Sequence, residues 1–282
     1  MPFPRLASIV LSIALASLIA AAGCAPGGSA GEALRRGTRI TLTGSSTVAP
    51  LMSEIGKRFE RRHPGVRVDV QTGGSSRGVA DVRDGLAEIG MISRDLAADE
   101  ADLHAFVIAR DGVCVILHAE NPVASLTNEQ VAGIYTGRID DWSDVGGPDA
   151  PVTVVNKAEG RSTLEVFTAY FAIDPREIRA DIVIGDNEQG IKTIAGNRHA
   201  IGYVSIGAAE YGREHGVPIK LLPIDGVEAS VRRVADGTFP LSRRLHLVTA
   251  SPPRGLVQEL IDFAQSLEVH DVVEELSFVP TP

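Results

Sequence analysis

The sequence predicts an α/β protein for the part of the chain that follows residue 38. Short apolar runs alternate there with amphipathic stretches, and no internal repeat or low-complexity block interrupts them. The 282 residues suffice for one large domain or two of ordinary size. A charged fraction of 22% and a hydrophobic fraction of 44% are typical of a globular protein. We therefore expect sheets flanked by helices.

The N-terminus is predicted to be a secretion signal. An uncharged apolar run covers residues 6–22, follows Arg5 and ends two residues before Cys24. A positive start followed by a short apolar stretch and small residues is typical of a cleaved signal. We expect residues 1–23 to be removed and residues 24–37 to form a flexible tether. Plain secretion and an uncleaved anchor remain alternatives.

Apolar patterns predict individual elements of the body. Residues 48–59 carry apolar side chains at helical spacing, and residues 66–70 alternate valine with polar residues as a strand does. Two apolar runs, 113–117 and 200–206, predict buried strands. Cys114 lies in the first of these runs, so we expect a buried free thiol there.

Two capping boxes predict helix starts. Thr127 with Gln130, and Ser162 with Glu165, have the spacing at which a hydroxyl and a longer polar side chain cap the first turn reciprocally. We expect a helix to begin at each pair.

Charge and motif content exclude several functions. The net charge of −9 argues against a nucleic-acid binder, because phosphate backbones recruit basic surfaces. The 2 cysteines form no CxxC motif, and the 7 histidines show no HxH or HExxH spacing. P-loop and GxGxxG fingerprints are also missing from the sequence. We therefore expect no nucleic-acid partner, no metal and no cofactor.

Four turns place glycine and hydroxyl residues where a strand gives way to a helix. They cover residues 44–48, 73–78, 92–95 and 157–163. The first turn of a helix has unpaired N–H groups and a positive dipole end, so it accepts an anion. Each turn alone is explained equally well as an ordinary helix cap, and its basic residues as solvated surface. Four such turns in one chain favour a shared anion site.

These segments resemble the periplasmic phosphate-binding proteins of ABC importers. Residues 44–51 (GSSTVAPL) are similar to the first anion loop of that family, residues 74–78 to the second and residues 89–94 to the third. Residues 111–147 are similar to the longest signature of the family, and residues 200–205 to its late strand. The resemblance extends in order over most of residues 40–250.

The resemblance implies a type II periplasmic-binding-protein fold. Such a fold has two α/β lobes, each a mixed sheet flanked by helices, with the ligand in the cleft between them. We expect lobe 1 to comprise residues 38–117 and 223–282, and lobe 2 residues 118–222. Carried over by position, the ligand-binding residues are Ser46, Thr47, Val48, Ser75, Ser76, Ser93, Arg94, Lys157, Arg161, Ser162 and Thr163.

Two loops depart from the family pattern. Relatives usually place an arginine where this chain has Lys157, which offers a point charge instead of a planar fork. Arg161 replaces a serine, and either restores the guanidinium or points to solvent. Ser93 stands where some relatives have an aspartate that accepts the proton of hydrogen phosphate. Asp95 either replaces that carboxylate or has a capping or surface role. Sulfate and molybdate therefore remain alternative ligands.

The start of the mature chain resembles a bacterial lipobox. The sequence Ala21-Ala22-Gly23-Cys24 fits it, with alanine in place of leucine three residues before the cysteine. The resemblance implies that Cys24 is lipidated and anchors the protein to the membrane.

The expected function is that of an extracytoplasmic solute-binding protein. It would capture inorganic phosphate as a monomer and deliver it to the membrane subunits of an ABC permease, without catalysis. A sensor or adhesin that has lost transport is one alternative. Another is a serine hydrolase, because residues 74–78 match GxSxG with Ser76 as nucleophile and His246 or His270 downstream.

Overall fold

The computed structural model describes residues 37–281. The secretion signal over residues 1–23, Cys24 and nearly all of the tether lie outside the described residues, so those predictions remain predictions. Within residues 37–281, none of the helices combines the length and the apolar character that a membrane span needs.

Strands and helices alternate along the described chain, as the sequence predicts. The strands are β1 (Thr38–Gly44), β2 (Val66–Thr72), β3 (Ile89–Ile92), β4 (His104–His118), β5 (Thr153–Lys157), β6 (Ile182–Ile184), β7 (Ala200–Ser205), β8 (Ile219–Leu221), β9 (Ser242–Thr249) and β10 (Val279–Pro280). The helices are α1 (Ala49–Arg62), α2 (Ser75–Arg83), α3 (Asn128–Tyr135), α4 (Ser162–Tyr170), α5 (Asn187–Gly196), α6 (Ile206–Glu214), α7 (Val231–Ala235), α8 (Leu256–Ala264) and α9 (His270–Glu275).

The strands form a mixed sheet that runs through both halves of the molecule. Its order is β2-β1-β3-β9-β4-β7-β5-β6, with β8 and β10 also paired to β4. The pairs β1–β2, β1–β3, β5–β6 and β5–β7 are parallel, whereas β9 runs antiparallel to both β3 and β4. Strand β4 has 15 residues; its first part pairs with β9 and β10, and its second with β7 and β8.

Two large hydrophobic cores lie on either side of the point where β4 passes from one half of the molecule to the other. The first packs α1, α8 and α9 on the sheet around residues such as Leu42, Phe59 and Leu247. The second surrounds Trp142 and Tyr203 and includes apolar residues from α3 to α7. Each core belongs to one α/β lobe, and the site lies where the two lobes meet.

The core membership bears on the lobe boundaries. The second core takes in residues 113–117 of β4 and apolar residues between 222 and 241. Gly112 pairs with Ser242 at the point where the chain changes core. This packing favours crossings near residues 112 and 241. The boundaries expected at 117/118 and 222/223 remain a prediction.

Most local predictions agree with the structure. The helix predicted over 48–59 is α1 and the strand predicted over 66–70 is β2, while 113–117 and 200–206 fall on β4 and β7. Cys114 is a buried free thiol, and burial raises its pKa.

The two capping boxes behave differently. Thr127 caps α3 reciprocally with Gln130, as predicted. At the second box the predicted helix start is correct, because Ser162 is the first residue of α4, but the predicted cap is wrong: Arg161 occupies the N-cap without a side-chain cap. The physical reason is that the Glu165 carboxylate contacts the opposite lobe instead of reaching back to its own helix start.

Candidate functional site

A buried guanidinium lies where the loops of both lobes converge. Arg243, on β9, donates from Nη1 to Thr163 Oγ1 at 3.0 Å and to Ser93 Oγ at 3.4 Å. Its Nη2 donates to Thr47 Oγ1 at 3.3 Å. Its side chain is 2% exposed. One cation therefore contacts three hydroxyls, two from the first lobe and one from the second.

Asp111 holds this guanidinium in place. The two residues are direct partners in the β4–β9 register, and Asp111 Oδ2 accepts from Arg243 Nε at 3.1 Å and Nη2 at 2.7 Å. Asp111 Oδ1 accepts from Ser205 Oγ at 2.9 Å. A buried charge is stable only when it is paired and hydrogen-bonded, and Arg243 satisfies both conditions.

The hydroxyl loops of the first lobe are bonded to one another. Ser45 Oγ donates to Ser93 Oγ at 3.0 Å and accepts from the Thr47 amide at 3.2 Å and the Val48 amide at 3.3 Å. Ser75 Oγ, at the start of α2, accepts from the Ser93 amide at 3.3 Å. This lobe therefore presents a preformed polar surface to the cleft.

Asn187 connects the second lobe to the same centre. Its Nδ2 donates to Thr47 Oγ1 at 3.2 Å, and its Oδ1 accepts from Lys157 Nζ at 3.1 Å. Lys157 is 3% exposed. Burial lowers the pKa of Lys157 to about 7, and the nearby Asp186 carboxylate opposes that shift. The Asn187 side-chain amide thus links Lys157 to the central hydroxyls.

Part of the second-lobe loop has buried polar atoms without partners. Ser162 Oγ and Arg161 Nε are buried, and neither has a hydrogen-bond partner within residues 37–281. Both belong to the segment 157–163 at the start of α4, whose first turn has no side-chain cap. Because buried polar groups are nearly always paired in folded proteins, these donors indicate a place for a ligand.

Contacts across the cleft hold the two lobes closed. The Ser76 amide donates to the Gly160 carbonyl at 3.3 Å, and Ser76 Oγ donates to Glu165 Oε1 at 3.4 Å. Arg94 forms an ion pair with Glu165 and a bidentate one with Glu100, at 2.6 and 2.8 Å. These contacts lie at the rim of the site.

The cleft also depends on one glycine. Gly74 has a φ of 97°, and a Cβ at this position would lie 2.5 Å from the Gly160 carbonyl oxygen. Any side chain there would separate the lobes, so the close approach requires glycine.

The residues selected from the sequence fall into three groups. Thr47, Ser93 and Thr163 surround Arg243, with Lys157 joined through Asn187. The structure also places five of them in the adjoining loops and helix starts: Ser46, Val48, Ser75, Arg161 and Ser162. Ser76 and Arg94 face the opposite lobe in the contacts described above. Asp95 lies outside the cluster, where Arg244 bonds its carboxylate at 2.8 Å and lowers its pKa.

Sequence reasoning missed the central cation and its supports. These residues are Arg243, Asp111, Asn187, Ser205 and Ser45. All of them except Ser45 lie outside the glycine-rich turns that resemble anion loops. One signal was present in the sequence. Arg243 alternates in phase with the buried Leu245 and Leu247 of β9, and an arginine in the apolar phase of a strand indicates a buried, paired charge.

The fold and the site together define a class, the two-lobed binding proteins with a polar site in the interlobe cleft. Comparison with known proteins agrees with this. The sequence model of the PBP superfamily domain matches residues 28–268. The chain belongs to this superfamily of periplasmic-binding-protein folds.

The relatives include named phosphate-binding proteins. Phosphate-binding protein PstS of Bacillus subtilis is 28% identical over 290 residues, which cover 96% of this chain and 93% of the relative. A structure with bound phosphate, from Clostridium perfringens and assigned as a phosphate ABC transporter substrate-binding protein, is 30% identical with a TM-score of 0.80. The match covers 87% of this chain and 100% of that one. An ABC-type phosphate transport receptor from Vibrio cholerae is 30% identical with a TM-score of 0.72, covering 86% of this chain and 100% of the receptor.

Proposed function

We propose that this protein is an extracytoplasmic solute-binding protein that captures inorganic phosphate and delivers it to an ABC permease. The observation that carries the proposal is the convergence of Thr47, Ser93 and Thr163, from two lobes, on the buried Arg243 guanidinium. The names of the relatives, phosphate-binding proteins and phosphate transport receptors, support the same ligand.

The site offers a tetrahedral oxyanion donors on several sides. Hydroxyls donate from the first lobe, and the α4 loop adds the Ser162 hydroxyl, the Arg161 guanidinium and the first-turn amides. Asp111 fixes the orientation of Arg243, and an anion oxygen would replace hydroxyl oxygens of Thr47, Ser93 and Thr163 as acceptors of its planar fork. Each hydrogen bond to a charged oxygen contributes about 1.5–3 kcal/mol. Several of them offset the loss of freedom on binding and leave a micromolar or tighter site, about −8 kcal/mol.

Binding proceeds by closure of the lobes over the ligand. The anion touches donors of both lobes only when they are closed, so it stabilises that form by the difference in affinity. The closed state is also stabilised by the rim contacts of Ser76 with Gly160 and of Arg94 with Glu165. We assign these residues to closure and the inner hydroxyls to the ligand.

Selectivity for phosphate would not depend on a carboxylate in the third loop. Ser93 occupies that position, and Asp95 is engaged by Arg244 outside the cluster. The Asp111 carboxylate is occupied by Arg243 and Ser205. Hydroxyl oxygens, which accept as well as donate, are left to receive the proton of hydrogen phosphate. Sulfate and molybdate are therefore the competing ligands to test.

The proposed role involves no catalysis. The chain belongs to a family of substrate-binding proteins, and Ser76 Oγ bonds to Glu165 in place of a histidine. A serine hydrolase needs a histidine base within hydrogen-bond reach of its nucleophile. Ester hydrolysis that disappears in Ser76→Ala would favour the hydrolase instead.

The partners follow from the same proposal. The mature protein would work outside the cytoplasmic membrane, as a monomer anchored through a lipidated Cys24, and would hand phosphate to the membrane subunits of the permease. Mass spectrometry of the membrane fraction tests the anchor: a diacylglyceryl adduct on Cys24 is expected, and an unmodified N-terminus would contradict it.

Isothermal titration of the mature chain with phosphate, arsenate, sulfate and molybdate tests the ligand. Heat is expected with phosphate and none with sulfate. Absence of heat with every oxyanion would overturn the proposal, and heat with sulfate or molybdate alone would reassign the site to that anion.

A further inference from the structure

Within residues 37–281, Lys157 has no carboxylate hydrogen-bond partner, whereas Arg243 and Arg94 each have one. Arg243 pairs with Asp111 at 2.7 Å, and Arg94 pairs with Glu100 at 2.6 Å. Within residues 37–281, the hydrogen-bond partner of Lys157 Nζ is the neutral amide oxygen of Asn187, at 3.1 Å. A buried ammonium without a counter-charge is costly, so the group tends to lose its proton.

The elements around Lys157 add to this cost. The Arg243 guanidinium on β9 and the Arg161 guanidinium of the loop that follows Lys157 both disfavour a further positive charge. From the start of α5, Asp186 favours it. On β7, the Tyr203 hydroxyl meets the Lys157 amide and stays neutral, because burial raises its pKa.

Asp111, on β4, is bonded through its two oxygens to Arg243 and Ser205. It offsets the charge of Arg243 and is not bonded to Lys157. Burial, the largest of these effects, lowers the pKa of Lys157 to about 7.

We propose that Lys157 is neutral in the empty closed cleft above neutral pH and takes up a proton as the anion binds. The proposal rests on the function proposed above and concerns the same site. The anion provides the counter-charge that the protein lacks at this position. Capture of a phosphate dianion is thus accompanied by uptake of up to one proton from solvent.

The sign of the pH dependence follows from linkage. Binding stabilises the protonated lysine, so the affinity is highest where Lys157 is already charged, below about pH 7. Above that pH, each unit weakens binding by up to about tenfold, because one proton must be bound together with the anion. Arginine at this position stays charged and removes the linkage.

Titration calorimetry of wild type and Lys157→Arg with inorganic phosphate tests this. The measurement is made at about pH 8.5, where phosphate is almost entirely the dianion. Two buffers of different ionisation enthalpy give the number of protons bound. We expect wild type to take up close to one proton more per phosphate than the variant. The difference between the two proteins cancels any proton that the phosphate itself gains.

Equal proton numbers in the two proteins, with both binding phosphate, would overturn the proposal. If wild type binds no phosphate, the proposed function fails instead, so the two failures are distinguishable. A variant that folds poorly is bypassed by a direct measurement on wild type, the ¹³Cε resonance of Lys157. We expect the Lys157 resonance to titrate near pH 7 without phosphate. When phosphate is added, we expect Lys157 to stay protonated. A free lysine that stays charged beyond about pH 9 would contradict it.

Discussion

The two faces of the cleft differ in how the hydroxyl groups of their anion-loop segments are paired. In the first lobe, Ser45, Ser93 and the amides of the first loop bond to one another, and Arg243 is fixed by Asp111. In the second lobe, Ser162 Oγ and Arg161 Nε lack partners among the described residues, and Lys157 lacks a counter-charge. The first face is preorganised, whereas the proposed ligand would complete the second. Substitutions in the first should therefore affect stability and affinity together, whereas substitutions of the second-lobe hydroxyls should mainly affect affinity.

The largest effect is expected from Arg243→Met. The substitution removes the guanidinium and leaves the Asp111 carboxylate buried without its cation, which lowers the free energy of unfolding by about 3–5 kcal/mol. Phosphate binding should also disappear. Urea unfolding and calorimetry measure the two losses. The control is Arg243→Lys, which keeps the charge but not the fork and should weaken binding by about 10–100-fold. Wild-type affinity in Arg243→Met would show that the guanidinium does not contact the ligand.

A matched pair of isosteric changes compares the two faces directly. Thr47→Val and Thr163→Val should each reduce phosphate affinity by about 10–100-fold, because each removes a hydrogen bond to a charged ligand. Thr47 Oγ1 accepts from both Asn187 and Arg243, whereas Thr163 Oγ1 accepts from Arg243, so Thr47→Val should lower the melting temperature more than Thr163→Val. Unchanged affinity in both variants would mean that these loops are only architectural.

Removal of Lys157, which has no counter-charge bonded to it among the described residues, should stabilise the empty protein. Because the pKa of Lys157 falls to about 7 on folding, the unfolded chain binds more protons between that pH and the ordinary lysine pKa. Wild-type stability therefore rises with pH across this window. Lys157→Met should lack the rise and unfold at a melting temperature higher by several degrees near pH 7, with less difference near pH 9.5. Identical pH profiles in urea titrations would contradict this.

The smallest effect is expected at the rim. Glu165→Gln removes an ion pair with Arg94 that spans the cleft, and partly exposed pairs contribute about 1 kcal/mol or less. Phosphate affinity should fall by about two- to fivefold, and less in high salt. The control is Glu159→Gln, which makes the same change in charge at an exposed residue of the loop that precedes α4. Equal affinities for both variants would remove Glu165 from the closure mechanism.

The sequence predicted most of the framework because its signals are local. Alternating valines, helical spacing and one capping box located elements correctly, and the resemblance of the anion loops to those of a known family implied the two-lobed fold. Arg243 was missed because its place in the site depends on the register of β9 against β4, which joins residues far apart in the chain. The Ser162–Glu165 box failed for the same reason, since Glu165 has its partners in the other lobe. Local patterns define elements, whereas contacts between lobes depend on the assembled sheet.

Strand β4 has a consequence for how the protein loses its structure. Its 15 residues contribute to both hydrophobic cores without a break, so neither lobe can melt and leave the other with an intact sheet. Heat should therefore produce one cooperative transition in the calorimeter instead of two. Phosphate should raise the melting temperature of that single transition, so a thermal scan can show which anions the cleft binds.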